Sequence, residues 1–321
     1  MSSPSWQRLE QARIKAGSVG IQLTLEGMSR LFRLAPQARP ERYGIRVVRD
    51  QRYGPATPGN LYDVWVPATP RADRAVVLHI HGGGFRVLSK DTHWLMALLF
   101  ARQGYLVFNV NYRLAPAHPF PAAVEDCAAA YREVVARAAA YGGDPDSIVV
   151  AGESAGGNLT ASVVIMACFA REEPFARRVF DLGVVPRAAV PFCALLEASN
   201  PDSACAAVRS NFIRDRIRSV SSTYLTGRPA HVALDLADPL VWLEGSAEPE
   251  RPLPPFFAPC GTADPLLQQH RRLQQALDRR GVRAASPEYA GGIHAFQAFF
   301  WQPRARQAWE DTFAFLDDAL A

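Results

Sequence analysis

An apolar strand that runs directly into a Gly-x-Ser-x-Gly turn constrains this 321-residue chain more than any other segment. Residues 148–157 read Ile-Val-Val-Ala-Gly-Glu-Ser-Ala-Gly-Gly, which predicts a buried strand, a sharp turn at Ser154 and a helix that begins at Ala155. The glycines at both ends of the turn leave room for strand and helix to approach closely. Ser154 is therefore a candidate nucleophile, and the N–H of Ala155 is a candidate donor to an oxyanion.

A glycine triplet follows an earlier apolar strand. Residues 75–80 read as this strand, and His81-Gly82-Gly83-Gly84-Phe85 comes directly after it. A loop without side chains lets backbone N–H groups touch a substrate oxygen, so we predict that Gly82 and Gly83 complete an oxyanion hole with Ala155. Phe85, at the end of the loop, is predicted to bind substrate.

An acid and a histidine follow in the order that a catalytic triad requires. Asp264 lies in a turn after the strand-like residues 255–260, and His294 comes thirty residues later, in a glycine-rich loop. The order Ser154, Asp264, His294 predicts three side chains at successive strand ends. Asp238 begins a second Asp-Pro-Leu tripeptide, for which we predict a structural turn. Since the histidine must be neutral to act as a base, activity should fall as the pH drops below the ordinary histidine pKa of about 6.5, shifted by an amount that the sequence does not give.

Strand and helix patterns alternate along most of the chain, which predicts an α/β fold with a mostly parallel central sheet flanked by helices. Strands are predicted at 45–52, 61–66, 75–81, 105–111, 147–152, 186–194, 255–260 and 284–289, the first two antiparallel. Helices are predicted near 91–103, 122–140, 154–170, 266–280 and 303–320. Two further helical stretches, about 1–40 and about 198–240, are predicted to form a cap on a single domain that spans 1–321.

These motifs resemble the hormone-sensitive-lipase-like (bacterial family IV) esterases of the α/β-hydrolase fold. The resemblance covers about residues 60–320 and rests on 81–85, 111–126, 152–157, 264–266 and 294–296, with Glu153 in place of the more common aspartate before the nucleophile. It implies an α/β-hydrolase fold with a helical cap. It also implies a serine carboxylesterase that acts on short-to-medium acyl esters through a Ser-His-Asp triad and an acyl-enzyme intermediate.

The predicted chemistry needs only side chains, backbone donors and water, so it implies no metal and no organic cofactor. An amidase, a lactonase or a carbohydrate deacetylase would use the same residues. Ligand-binding receptors and lyases also occur on this fold, although the triad argues against a receptor. The expected partner is a small-molecule ester, and the resemblance makes a homodimer possible.

Charge and cysteine content restrict the other classes of protein. The net charge is +4 and no arginine-rich block occurs, which argues against nucleic-acid binding. The longest uncharged stretch, 154–170, is short and rich in polar residues, so no stable membrane insertion is expected. Five cysteines without a Cys-x-x-Cys pair indicate buried free thiols, and no signal-peptide pattern opens the chain. We expect a soluble, cytoplasmic protein.

Overall fold

A mostly parallel sheet forms the centre of the protein in the computed structural model, which describes residues 27, 29–205 and 208–321. The strands are β1 (Ile45–Arg52), β2 (Leu61–Pro67), β3 (Val76–Ile80), β4 (Leu106–Val110), β5 (Ile148–Glu153), β6 (Ala188–Phe192), β7 (Phe256–Phe257), β8 (Cys260–Gly261), β9 (Ala284–Ala285) and β10 (Glu288–Tyr289). Eight of them form one sheet in the order β1-β2-β4-β3-β5-β6-β7-β9. The pairs β1/β2 and β2/β4 are antiparallel, and the other pairs are parallel.

Helices cover both faces of this sheet. They are α1 (Trp94–Arg102), α2 (Ala122–Arg137), α3 (Ala155–Cys168), α4 (Pro174–Phe180), α5 (Pro201–Cys205), α6 (Asn211–Leu225), α7 (Pro239–Glu244), α8 (Leu267–Arg279) and α9 (Pro303–Leu320). Side chains of α2, α3 and α8 share one hydrophobic core with one face of the sheet. Side chains of α1 and α9 share a second core with the opposite face.

The alternation of side chains along the central strands explains the two cores. Every residue of β3, β4, β5 and β6 is buried. In β3, Val76 and Leu78 lie in the first core, whereas Val77 lies in the second. Strands buried on both faces are typical of parallel sheets covered by helices. The predicted α/β fold with a mostly parallel sheet flanked by helices is confirmed.

Two predicted strands are broken, and two helices, α4 and α7, were not predicted. Helix α7 begins at Pro239, where the sequence predicted a turn. The segment 255–260 forms β7 and β8, and 284–289 forms β9 and β10. Pro259 and Pro287 lie between the halves, and a proline has no N–H to donate to a sheet. The short helix α4 was missed, although a proline at its first position, Pro174, is a known start signal.

The predicted cap falls partly on residues that lie outside the described ones, namely 1–26, 28, 206 and 207. In the described part of 198–240, α5 and α6 stand outside the strand-helix alternation. Helix α6 begins after Ser210, whose hydroxyl accepts the N–H of Ile213 at 3.4 Å, a standard N-cap. Tyr224, near its end, is fully buried and accepts the N–H of Phe120 on its carbonyl at 2.9 Å. That the two segments form one cap, and that the chain is a single domain, stays a prediction.

Two expectations from composition can be compared with the structure. All five cysteines are buried free thiols, as predicted. Within the part of the chain that the structure describes, we find no helix with both the length and the apolar character needed to cross a bilayer.

Candidate active site

Ser154 lies in the tight turn between β5 and α3. Its backbone has φ 56° and ψ −113°, a conformation that residues with a Cβ atom rarely adopt. Neighbouring backbone holds the turn in place, because the N–H of Ser154 donates to the carbonyl of Phe192 at 2.9 Å and the carbonyl of Ser154 accepts from Leu195 at 3.2 Å. The strained turn is therefore fixed to the end of β6, at the carboxyl edge of the sheet.

The glycines beside the turn allow a very close approach of β3, β5 and α3. A Cβ atom on Gly152 would lie 2.4 Å from the carbonyl oxygen of Gly156, and one on Gly156 would lie 2.1 Å from that of Ile80. No side chain fits at either position. The role that the sequence predicts for these two glycines is therefore confirmed.

Ser154, His294 and Asp264 form one continuous line of hydrogen bonds. The Nε2 atom of His294 is 2.9 Å from Oγ of Ser154, and its Nδ1 is 2.8 Å from Oδ2 of Asp264. The second carboxylate oxygen of Asp264 accepts the N–H of Leu266 at 2.8 Å. The Asp264 side chain is fully buried, whereas that of His294 is 37% exposed. With its proton on Nδ1, the imidazole can accept the serine hydroxyl proton on Nε2.

The electrostatic surroundings of His294 favour its protonated form. Burial lowers the pKa of His294, but the Asp264 carboxylate and its hydrogen bond raise it more, and the charge of Glu153 raises it further. The net effect raises the pKa of His294 to about 8. The neutral imidazole is therefore scarcer at pH 7 than the ordinary pKa of a histidine, about 6.5, would give.

We expect kcat/KM to rise with pH and to reach half its maximum near pH 8, because only neutral His294 can accept the serine proton. The Glu153→Gln variant should move this midpoint to lower pH, since it removes a negative charge and keeps an acceptor for Gln297. Initial rates on a soluble ester, corrected for spontaneous hydrolysis, measure both midpoints. Glu288→Gln, which removes a surface carboxylate bound to Arg271, is the control. An unchanged midpoint in Glu153→Gln would contradict the conclusion that the charge of Glu153 raises the pKa of His294.

Glu153 connects the histidine loop to the glycine loop. Its Oε2 accepts a hydrogen bond from Nε2 of Gln297 at 2.7 Å, and its Oε1 lies 3.7 Å from Nε2 of His93. Burial raises the pKa of Glu153, but the surrounding histidines lower it more, so the pKa of this buried carboxyl lies below its ordinary value. The sequence interpretation noted Glu153 only as a departure from the family and missed both partners. Its position directly before the nucleophile was the available signal.

The glycine loop differs from the prediction at Gly82. The N–H of Gly82 donates to Nε2 of His93 at 3.2 Å, so this N–H already has an acceptor. Among the described residues, no acceptor is found for the N–H groups of Gly83, Gly84 and Ala155. Gly83 has φ 115°, and a Cβ there would lie 2.0 Å from the carbonyl oxygen of Val87. Gly82 thus fixes the loop to His93, and the predicted donor role fits Gly83, Gly84 and Ala155 instead.

Phe85 also has a different place from the predicted one. It is fully buried, and its ring is stacked on Tyr224 of α6 with centroids 3.7 Å apart and planes 5° apart. Helix α6 therefore covers the ring. Phe85 holds the glycine loop against α6 and does not present an open surface to substrate.

One cluster near the site has metal-ligand residue types. Cys193, Cys260 and Asp264 are buried, and their ligand atoms lie within 4.8 Å of one another. The hydrogen bond between the thiols and their burial raise the pKa of Cys193, and the pKa of Cys260 is also raised. Metal-binding cysteines must lose their protons, and both oxygens of Asp264 already accept hydrogen bonds. The donor set does not fit a metal.

Comparisons with known proteins agree with this geometry. A family model described as an alpha/beta hydrolase fold matches residues 77–298. The chain belongs to the α/β-hydrolase fold family. Among curated members, it is 33% identical to Carboxylesterase NlhH of Mycobacterium tuberculosis over 241 residues, which cover 74% of this chain and 70% of that protein. It is also 33% identical to Esterase LipI of the same species over 260 residues, which cover 80% of this chain and 77% of that one.

A solved structure from the same family extends the match over nearly the whole chain. The esterase from the archaeon Pyrobaculum calidifontis is 26% identical to this chain and superposes on it with a TM-score of 0.74. The match covers 99% of each chain. The resemblance to hormone-sensitive-lipase-like α/β-hydrolases is confirmed, and the relatives place the chain among the carboxylesterases of the family.

Proposed function

We propose that this α/β-hydrolase hydrolyses short-to-medium acyl carboxylic esters, with Ser154 as nucleophile, His294 as general base and acid, and Asp264 as the residue that orients the histidine. The observation that carries the proposal is the line of hydrogen bonds from Ser154 Oγ to His294 Nε2 at 2.9 Å and from His294 Nδ1 to Asp264 at 2.8 Å. The names of the relatives support an ester as the substrate.

The proposed reaction has two halves. Ser154 attacks the ester carbonyl while His294 takes its proton, and the protonated His294 then gives this proton to the departing alcohol. Water attacks the resulting acyl-enzyme with His294 again as the base, which releases a carboxylic acid and restores the serine. Asp264 keeps the imidazole proton on Nδ1 and stabilises the imidazolium that forms in each half.

We propose that the N–H groups of Gly83, Gly84 and Ala155 stabilise the tetrahedral oxyanion. Ala155 begins the 14-residue helix α3, so the positive end of the helix dipole points at the same place. Donors without an acceptor in the resting protein need no reorganisation when negative charge develops on the substrate. The bond from Gly82 to His93 keeps this loop in position.

Apolar side chains lie beside the histidine loop, which supports a small apolar acyl group. Ile293 precedes His294 and is 55% exposed, and Trp301 follows at the end of the same loop and is 50% exposed. The Phe32 ring lies 6.1 Å from that of Trp301. A limited surface of this kind binds a few methylene groups rather than a long lipid chain.

We expect kcat/KM on p-nitrophenyl esters to be highest between acetyl and hexanoyl and at least about tenfold lower for dodecanoyl and palmitoyl esters, because the longer chains extend beyond the apolar surface. Initial rates over the series, below the solubility limit of each ester, measure this. Faster turnover of long-chain esters, with a jump in rate at an oil interface, would contradict the proposed acyl range.

A further inference from the structure

Arg86 lies directly beyond the proposed oxyanion donors. The N–H groups of Arg86 and Val87 both donate to the carbonyl of Gly83, at 3.3 and 3.2 Å, so residues 83–86 form a tight turn. Such a turn places the Cα atoms of its first and fourth residues within about 7 Å of each other. The Cα atom of Arg86 therefore lies close to Gly83, one of the proposed oxyanion donors.

The Arg86 side chain is half-buried between the loop and α6. Its Nη1 atom donates to Oγ of Ser219 at 2.8 Å and to Oγ1 of Thr223 at 3.3 Å. Both partners are neutral. Among the described residues, no carboxylate lies within ion-pair distance of this guanidinium.

A second arginine occupies the same face of α6. Arg216 precedes Ser219 by three residues and Val220 by four, and these spacings place all three side chains on one side of a helix. Val220 faces the glycine loop, since a Cβ on Gly84 would lie 2.8 Å from it. Arg216 is half-buried and, within the described ranges, forms no ion pair. Arg218 points away from this face and pairs with Asp202 at 2.8 Å.

The two arginines repel each other, and no negative charge in the described structure compensates them. Burial and the positive charge of Arg216 lower the pKa of Arg86 to about 10, and burial lowers the pKa of Arg216. Guanidinium groups removed from water are normally paired with carboxylates. Three other partly buried arginines follow that rule, namely Arg113 with Asp126, Arg171 with Glu173 and Arg272 with Glu197. Arg251 and Arg280 instead donate to several backbone carbonyls, whereas the side-chain partners of Arg86 are two hydroxyl groups.

We propose that Arg86 and Arg216 bind a carboxylate group of the substrate, so that the preferred substrates are short esters with a negative charge a few bonds from the reacting carbonyl, such as half-esters of dicarboxylic acids. The inference rests on the proposed esterase function and adds a substrate class to it. Guanidinium groups bind carboxylates through paired N–H donors, and Ser219 and Thr223 hold that of Arg86 in a defined orientation. The bound carboxylate would supply the counter-charge that the two arginines lack among the described residues.

The experiment compares monomethyl glutarate with methyl hexanoate, which is similar in length and neutral. Hydrolysis by the full chain is followed by pH-stat titration, and the ratio of kcat/KM for the charged ester to that for the neutral ester is measured. We expect a ratio above one in the wild type. Arg86→Gln and Arg216→Gln should each lower the ratio at least about tenfold, mainly through KM, because each removes a charge-assisted interaction.

Arg218→Gln is the matched control, since it removes an arginine from the same helix but from the opposite face, and it should leave the ratio unchanged. High salt should lower the wild-type ratio, as it does for exposed charge pairs. If Arg86→Gln does not fold, Arg86→Lys and Arg216→Gln decide the question, with a smaller decrease expected for the lysine. A wild-type ratio of one or below, or a ratio unchanged in the glutamine variants, would overturn the carboxylate site. Failure of the wild type to hydrolyse either ester would instead contradict the proposed function.

Discussion

Replacing Ser154 with alanine is expected to lower kcat on short esters by on the order of 10⁶-fold, as removal of a triad serine does in a serine protease. The loss should be this large because the hydroxyl bound to His294 at 2.9 Å is the only group in the described site placed to form the acyl-enzyme. The wild type should react with one equivalent of a fluorophosphonate, whereas Ser154→Ala should remain unlabelled. Peptide mapping of the labelled protein identifies the residue.

The alanine variant should remain folded, since Ser154 contributes to the turn through its backbone and alanine preserves those hydrogen bonds. Circular dichroism and the melting temperature test this. A label on another serine of the wild type, or substantial ester hydrolysis by a pure alanine variant, would remove Ser154 from the mechanism.

Asp264→Asn is expected to lower kcat by up to about 10⁴-fold, which is the loss reported for the same change in a serine protease. The asparagine amide can donate to Nδ1 of His294, which moves the imidazole proton to Nε2 and leaves no acceptor for the serine hydroxyl. In the wild type, the Asp264 carboxylate raises the pKa of His294. Its removal should therefore lower that pKa, and the midpoint of the pH–activity curve of the variant should lie at lower pH. Steady-state kinetics on a short ester over a pH series measure both effects.

Asp238→Asn is the matched control because Asp238 begins the other Asp-Pro-Leu tripeptide of the chain. Its Oδ1 accepts the N–H of Ser199 at 2.8 Å, at the start of α7. Asparagine keeps that acceptor, so kcat should change by less than about tenfold. If Asp238→Asn impaired kcat more than Asp264→Asn in folded proteins, the assignment of the triad acid would be wrong, even if the protein were an esterase.

Local patterns were sufficient to predict most of the sheet and its helices. The bounds of β1 (Ile45–Arg52) and α9 (Pro303–Leu320) agree with the prediction at both ends. Their hydrophobic periods and their flanking turn residues are local signals, which a single sequence contains. The strands near the acid were predicted as continuous because their apolar character was given more weight than the missing N–H groups of Pro259 and Pro287.

Chain order was also sufficient to select three side chains that the structure joins in one line of hydrogen bonds, whereas their surroundings depend on contacts between distant segments. The bond from Gly82 to His93 could not be predicted, because no motif marks His93 as an acceptor. The contact between Arg86 and Ser219 joins residues 133 positions apart. Similarly, the burial of Phe85 is evident only once Tyr224 is placed over it. Such contacts leave no periodic signal in one sequence, so the glycine donors and the place of Phe85 had to be corrected from the structure.

The packing of α6 on the glycine loop has a consequence for how this enzyme could evolve. Phe85 and Arg86 follow the proposed oxyanion donors by one and two positions, and both rest on α6. We therefore expect a substitution that changes the packing of α6 to shift the proposed oxyanion donors as well. Substitutions in α6 that alter the choice of substrate are then expected to alter turnover too, and substitutions in the glycine loop are the ones expected to restore it.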